Sequence, residues 1–186
     1  MHRTQIATAL GLRVPRTEES QRLAWDIVPV LDAWMAHLER VEWELLVRPT
    51  PSRGRTLRNL TVNVFDPVSL LPDAFLSGRF EWYPEEDHRR EQALRSSEDL
   101  VAFARTAANA WTAFLGDHGH ELDQRNPAVA SSRGDVAFAA LLEYQRWHAA
   151  FHYRQMVEFL RVEEVVLPAA FDVEALTDLA LPESVF

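Results

Sequence analysis

The chain has no cysteine and, although it carries 19 basic residues, no lysine. Without cysteine there is no disulfide, no Cys-ligated zinc and no Cys nucleophile. Any thiol chemistry must use a thiol brought in by a cofactor or substrate. The arginine-only set of cations reads as the codon usage of a GC-rich genome. No apolar run approaches the roughly 18 residues that a membrane span needs. The opening residues Met1 to Ile6 lack the long apolar segment of a secretion signal, so the expectation is a cytoplasmic protein. Positive charge is also scarce: the net charge is −9 and the pI about 5.2, which argues against a nucleic-acid interface. There is no Walker loop, G-x-G-x-x-G or G-x-S-x-G, no 20–50-residue repeat, and no convincing period-2 strand pattern.

What remains is 186 residues with 47% hydrophobic and 25% charged content, ordinary for one globular domain with a full core. The stretch that organises it is Trp147-His148-Ala149-Ala150-Phe151-His152. On a helix, residues four apart stack on one face, so both imidazoles can reach the same point. Phe138, Leu141, Met156 and Phe159 share that face, which therefore points at the core, and Gln145 and Gln155 extend its polar strip. A polar strip inside an apolar stripe is either a satisfied hydrogen-bond network or a ligand set. A metal would satisfy two buried imidazoles, but a third ligand must come from elsewhere in the fold.

In chain order, 1–16 read as a short lead-in. Thr17, with Glu18 and Glu19 behind it, starts a helix that runs to about Val47 and buries Ile27, Leu31, Trp34, Leu38, Val41 and Leu45. Pro29 predicts a kink or a later start. His37 reads as a partly exposed residue between helices. Residues 49–54 are a linker. A second helix starts near Thr56 with Leu57, Leu60 and Val64 inward and Asn63 on the same face. Asp66-Pro67 interrupts it, and a kinked continuation ends at Gly78. Residues 79–95 read as a long polar loop, either a lid or a surface crossover pinned by Phe80 and Trp82, with His88 solvated. Ser96 and Asp99 cap a third helix that Gly116 stops. The run Asp117-His118-Gly119-His120-Glu121 has a metal-like composition but reads as a solvated turn. Ser132 caps the last helix, 135–161. A tail with a short helix at 172–179 lies across the rest. The expectation is an all-α four-helix bundle with a core at about 17–162.

The last helix resembles the H-x-x-x-H-x-x-Q signature of the DinB/YfiT-like superfamily, carried by His148, His152 and Gln155. The segment Leu57-Arg58-Asn59-Leu60-Thr61-Val62-Asn63 resembles the one that supplies that family's first metal histidine. The similarity covers about 20–162. It implies an up-down-down-up bundle, often dimeric, with a divalent metal such as nickel or zinc held by one His of the second helix and two of the last. It also implies transfer of a low-molecular-weight thiol of the mycothiol or bacillithiol type to a small-molecule electrophile. Here the metal set becomes Asn63, His148 and His152, with Asn63 standing where the family has histidine. An amide oxygen is a harder, weaker donor to such ions than an imidazole nitrogen. Either an ion remains, with water or an acid such as Asp66 completing its shell, or Asn63 hydrogen-bonds a histidine in a metal-free core. Three functions follow: a metal-dependent thiol transferase or hydrolase; a non-catalytic, dimeric accessory bundle for binding or stress; and a ligand-binding bundle that uses Trp82 and Tyr83 over an apolar pocket. Arg146, Tyr153 and Arg154 either bind substrate or are surface and interhelix groups.

Overall fold

The computed structural model of the chain describes residues 19–51, 53–132, 134–167, 169–176 and 179–186. The lead-in at 1–16 and the helix start at Thr17 lie outside them. The chain is mainly helical. No helix is long and apolar enough to cross a membrane.

Helix α1 spans Ser20–Leu38. Pro29 does not break it, because the carbonyl left without a partner belongs to Trp25, on the exposed side of the helix. The expected run to Val47 is corrected. The chain turns after Leu38 and adds a one-turn helix, α2, Trp43–Leu46. The buried residue there is Leu46, not Leu45, so the apolar stripe slips by one position and a straight helix could not bury it.

Thr56 caps helix α3, Leu57–Ser69, by accepting from the Asn59 N–H at 3.0 Å. Pro67 lies inside α3 and the break comes at Leu70, three residues later than read from the sequence. Helix α4, Leu71–Ser77, ends on Gly78 in the left-handed region at φ 71°.

The polar loop expected at 79–95 is not a loop. It holds strand β1, Arg79–Phe80, and helix α5, Pro84–Ala93. Proline at the first position and acids behind it suit a helix N-terminus. Helix α5 docks on α3 through charge rather than apolar burial. Glu91 accepts from Thr56 Oγ1 (3.1 Å), Arg58 Nε (3.2 Å) and Asn59 Nδ2 (3.0 Å), and Arg90 pairs with the buried Asp66.

Ser96 caps helix α6, Ser97–His118, as expected, accepting from Asp99 N–H at 3.1 Å. Gly116 does not stop it. A side chain there would meet open space, and the helix continues to His118 and a 3-10 turn at Gly119–Glu121. The loop expected before the last helix is a hairpin, β2 Ala128–Ser131 and β3 Gly134–Ala137. Strand β1 joins β2 in parallel (Arg79 opposite Ala130), and β2 pairs with β3 in antiparallel (Val129 opposite Val136). The all-α expectation therefore gives way to a mainly helical fold with a three-stranded sheet. Helix α7, Phe138–Val162, starts three residues later than expected, and the Ala139 N–H is capped by Asn126 Oδ1 at 2.9 Å rather than by Ser132. In the tail, one 3-10 turn at Val173–Ala175 replaces the short helix.

Helices α1 and α3 each pack against both α6 and α7. Trp34, Phe65, Trp111, Phe138, Tyr153 and Met156 fill the space between them. The buried indoles keep their polar ends bonded: Trp34 Nε1 donates to Thr61 Oγ1 (3.1 Å) and Trp111 Nε1 to the Ala24 carbonyl (3.3 Å). His37 is buried, not partly exposed as expected, with its ring edge-on to Tyr153 at 5.6 Å. Burial lowers its pKa.

Candidate functional site

The site lies where α7 faces α3. His148 and His152 sit one turn apart on α7, both buried, with ring centroids 4.6 Å apart and the rings edge to face. Asn63 reaches them from the middle of α3, its Oδ1 3.1 Å from His148 Nε2. The three residues singled out in the sequence as a ligand set are thus brought together.

Two amides fix where the protons are. Asn63 Nδ2 donates to Asp87 Oδ2 at 3.0 Å, so its oxygen is the atom turned toward His148. His148 must then carry its proton on Nε2 to make that bond. Asp87, buried on α5, also accepts from Trp82 Nε1 at 3.2 Å through Oδ1 and so ties the aromatic wall to the amide. On the other side, Gln155 Nε2 donates to the Val185 carbonyl at 2.7 Å, so its Oε1 faces His152 Nδ1 at 2.7 Å. His152 therefore carries its proton on Nδ1 and keeps a lone pair on Nε2. Burial lowers its pKa to about 4, aided by the nearby charge of Arg55 and opposed by the Gln155 bond. It is neutral at physiological pH.

These side chains line a cavity of about 470 Å³. Trp82, Tyr144, Trp147 and Phe151 form its aromatic walls, Arg53 and Arg55 enter from the α2–α3 loop, and 184–186 close another side. Tyr144 stacks on His148 (5.5 Å, 13°) and Trp147 on Phe151 (5.1 Å, 9°), as pairs one turn apart on α7.

The donor set fits a divalent ion in kind. His152 offers a neutral imidazole whose other nitrogen is already held by an amide, the usual arrangement for a ligating histidine. Asn63 offers an oxygen whose direction Asp87 sets. Only His148 needs a change, a shift of its proton from Nε2 to Nδ1. Among the described residues no group of three or more His, Cys, Asp or Glu could hold a metal ion.

The other sequence candidates lie elsewhere. Asp66 is occupied by Arg90. His118 stacks on Phe114 at 5.2 Å and pairs with Glu121 at 2.8 Å, while His120 is exposed, which makes that run a turn. His88 is exposed. Gln145, expected in the polar strip, is fully buried away from the cavity, and its amide finds no hydrogen-bond partner among the described residues. Arg146 is buried rather than superficial, Tyr153 is buried and accepts from the Phe171 N–H (2.9 Å), and Arg154 donates to the Pro182 carbonyl (2.9 Å). Sequence reasoning missed Asp87, whose helix looked like a loop, Arg53, which looked like linker, and Arg55, which was given no role just before the second helix. No protein-family model, curated protein or solved structure matches the chain.

Proposed function

We propose that the chain is a DinB/YfiT-like four-helix bundle of α1, α3, α6 and α7, a cytoplasmic homodimer. In this reading Asn63, His148 and His152 hold a divalent nickel or zinc ion for a thiol-dependent transfer to a small electrophile. The packing of each long helix on two others supports the bundle. The observation that carries the site is the convergence of one amide oxygen and two buried imidazoles on a 470 Å³ cavity. Such an ion, when bound, supplies Lewis acidity that lowers the pKa of a thiol. The chain's own residues do the rest. Gln155 holds the His152 proton on Nδ1. Asp87 keeps the Asn63 oxygen turned inward. Trp82 and Tyr144 pack against the His148 ring. The chain has no cysteine, so the thiol must diffuse in.

A second reading is favoured by the Asn63–His148 hydrogen bond, which closes at 3.1 Å with no ion between the two. It is a metal-free, non-catalytic bundle serving as a binding or stress-related accessory protein.

Elemental analysis of untagged protein separates the two. The first reading expects a stoichiometric divalent ion that disappears in His152→Ala, together with turnover of a low-molecular-weight thiol and a chlorodinitrobenzene-type electrophile that a chelator abolishes. Protein that stays free of metal after incubation with nickel and zinc leaves only the second.

A further inference from the structure

The chain carries a net charge of −9, yet among the described residues the cavity is lined by two arginines and by no aspartate or glutamate side chain. Arg53 and Arg55 flank Gly54 on the loop before α3, and no carboxylate among the described residues pairs with either. Several other arginines meet acids: Arg22 with Asp26, Arg48 with Glu163, Arg58 with Glu91, Arg90 with Asp66, Arg105 with Glu39, Arg125 with Glu121 and Arg161 with Glu158. Arg53 is exposed and Arg55 half-buried, and two guanidiniums side by side at one cavity form a local positive field. The loop that carries them is held rather than loose. Thr50 N–H donates to the Arg55 carbonyl at 2.7 Å, Arg53 N–H to the Pro51 carbonyl at 2.8 Å, and Pro49 bridges to Thr56.

Much of the rest of the lining is flat and aromatic. Trp82, Tyr144, Trp147 and Phe151 present ring faces and edges around the histidines, and the volume suits a small organic molecule rather than an inorganic ion.

We propose that this cavity binds an organic carboxylate with a flat apolar body. Its carboxylate is held by Arg53 and Arg55, and its body lies among Trp82, Tyr144, Trp147 and Phe151, next to His148 and His152. Guanidinium is the side chain suited to a carboxylate because its fork matches the two oxygens. This names the ligand class for the site proposed above and rests on that site being a small-molecule site. It does not require the ion.

The test uses the whole chain after chelation, with 2-naphthoate and its neutral isostere 2-naphthamide as probes, titrated by calorimetry. Wild type should bind the acid at least about tenfold more tightly than the amide, a difference of about 1.4 kcal/mol, and the gap should shrink with salt. Arg55→Gln and Arg53→Gln should each remove much of the preference and leave naphthamide binding within about twofold, because the apolar body is untouched. Both positions are on a loop, and Arg55→Lys keeps the charge while losing the fork, so it should fall between wild type and Arg55→Gln. Equal binding of acid and amide, no binding of either, or an acid preference that survives both glutamine variants would overturn the proposal. Uptake of nickel and zinc added back to a portion of the same chelated protein keeps the readings apart. Acid preference without any metal uptake sinks the ion and leaves this site, and metal uptake without acid preference does the reverse.

Discussion

Arg146 and His148 sit two residues apart on α7, both buried, and keep different company. Arg146 faces α1. Its Nε lies 2.9 Å from Asp26 and its Nη1 3.2 Å from Glu143, and Asp26 is shared with Arg22 at 3.0 Å. Two cations and two anions balance there, and none of the four lines the cavity. His148 faces α3 and α5, where amides, an indole and a carboxylate set its proton but leave it at the edge of a 470 Å³ space. Burial of polar groups is common to both clusters and so does not mark a site. What separates them is whether the charges cancel among themselves or stop at an opening. The first cluster specifies how α1 and α7 meet, and the second leaves chemistry unspent.

The sharpest way to break the contrast is to damage the closed cluster. Arg146→Met takes its guanidinium from the buried Glu143, while Asp26 keeps Arg22, and should cost stability at the low end of about 3–5 kcal/mol. Chemical denaturation measures it. Removing Glu143 as well, in Glu143→Leu with Arg146→Met, should cost less than the single change, because no lone acid is then left next to an apolar side chain. Neither variant should alter the naphthoate preference of protein that remains folded. A loss of that preference would mean the two clusters are not separate.

The contrast was half legible in the sequence. Histidines four apart on an apolar stripe are a helical-period signal, and the period survives folding, so His148, His152 and their inward direction could be read directly, and Asn63 with them. Thr56 and Ser96 were legible as caps for the same reason, because the oxygen and the N–H it serves are three residues apart. Helix α5 was not legible. Its inward face is Asp87 and Glu91 with Arg90 between them, and a helix that docks by charge shows no apolar period. The hairpin at 128–137 was lost because strands of four residues are too short to display alternation. Arg146 looked like surface because its partner Asp26 lies 120 positions away in the chain. The residues that meet at the cavity, Asn63, His148 and His152, were thus visible, and what orients them was not.

A smaller effect tests the open cluster by pH. His152 titrates near 6.5 when unfolded and near 4 when folded. Between those values the unfolded chain binds a proton that the folded chain refuses, so stability falls as pH drops. The contribution is intact above about pH 6.5 and lost progressively toward pH 4, up to about 3 kcal/mol in all. Carboxylates and the buried His37 titrate in the same direction, so the measurement is the difference between wild type and His152→Gln across that range. The difference curve should slope between pH 6.5 and 4 and be flat above it. A flat curve throughout would mean that water reaches the ring and the cluster is more open than its burial indicates.

The smallest of these effects falls on Asp87, which serves both the Asn63 amide and the Trp82 indole. Asp87→Ala leaves two buried donors without their acceptor and should cost about 1–3 kcal/mol, less than the loss of Arg146 because no charge is stranded. Its diagnostic consequence is on orientation. With no acceptor to hold Nδ2, the Asn63 amide is free to turn its nitrogen toward His148, which then loses the bond that keeps its proton on Nε2. Nickel affinity should fall about 10–100-fold, as it does when a residue behind a metal ligand is removed. Asp87→Asn is the companion variant, since it keeps one acceptor oxygen and the volume, and it should recover part of both losses. Stability lost without any change in metal affinity would assign Asp87 to holding α5 on α3, in the manner of Glu91, and would move it from the open cluster to the closed kind.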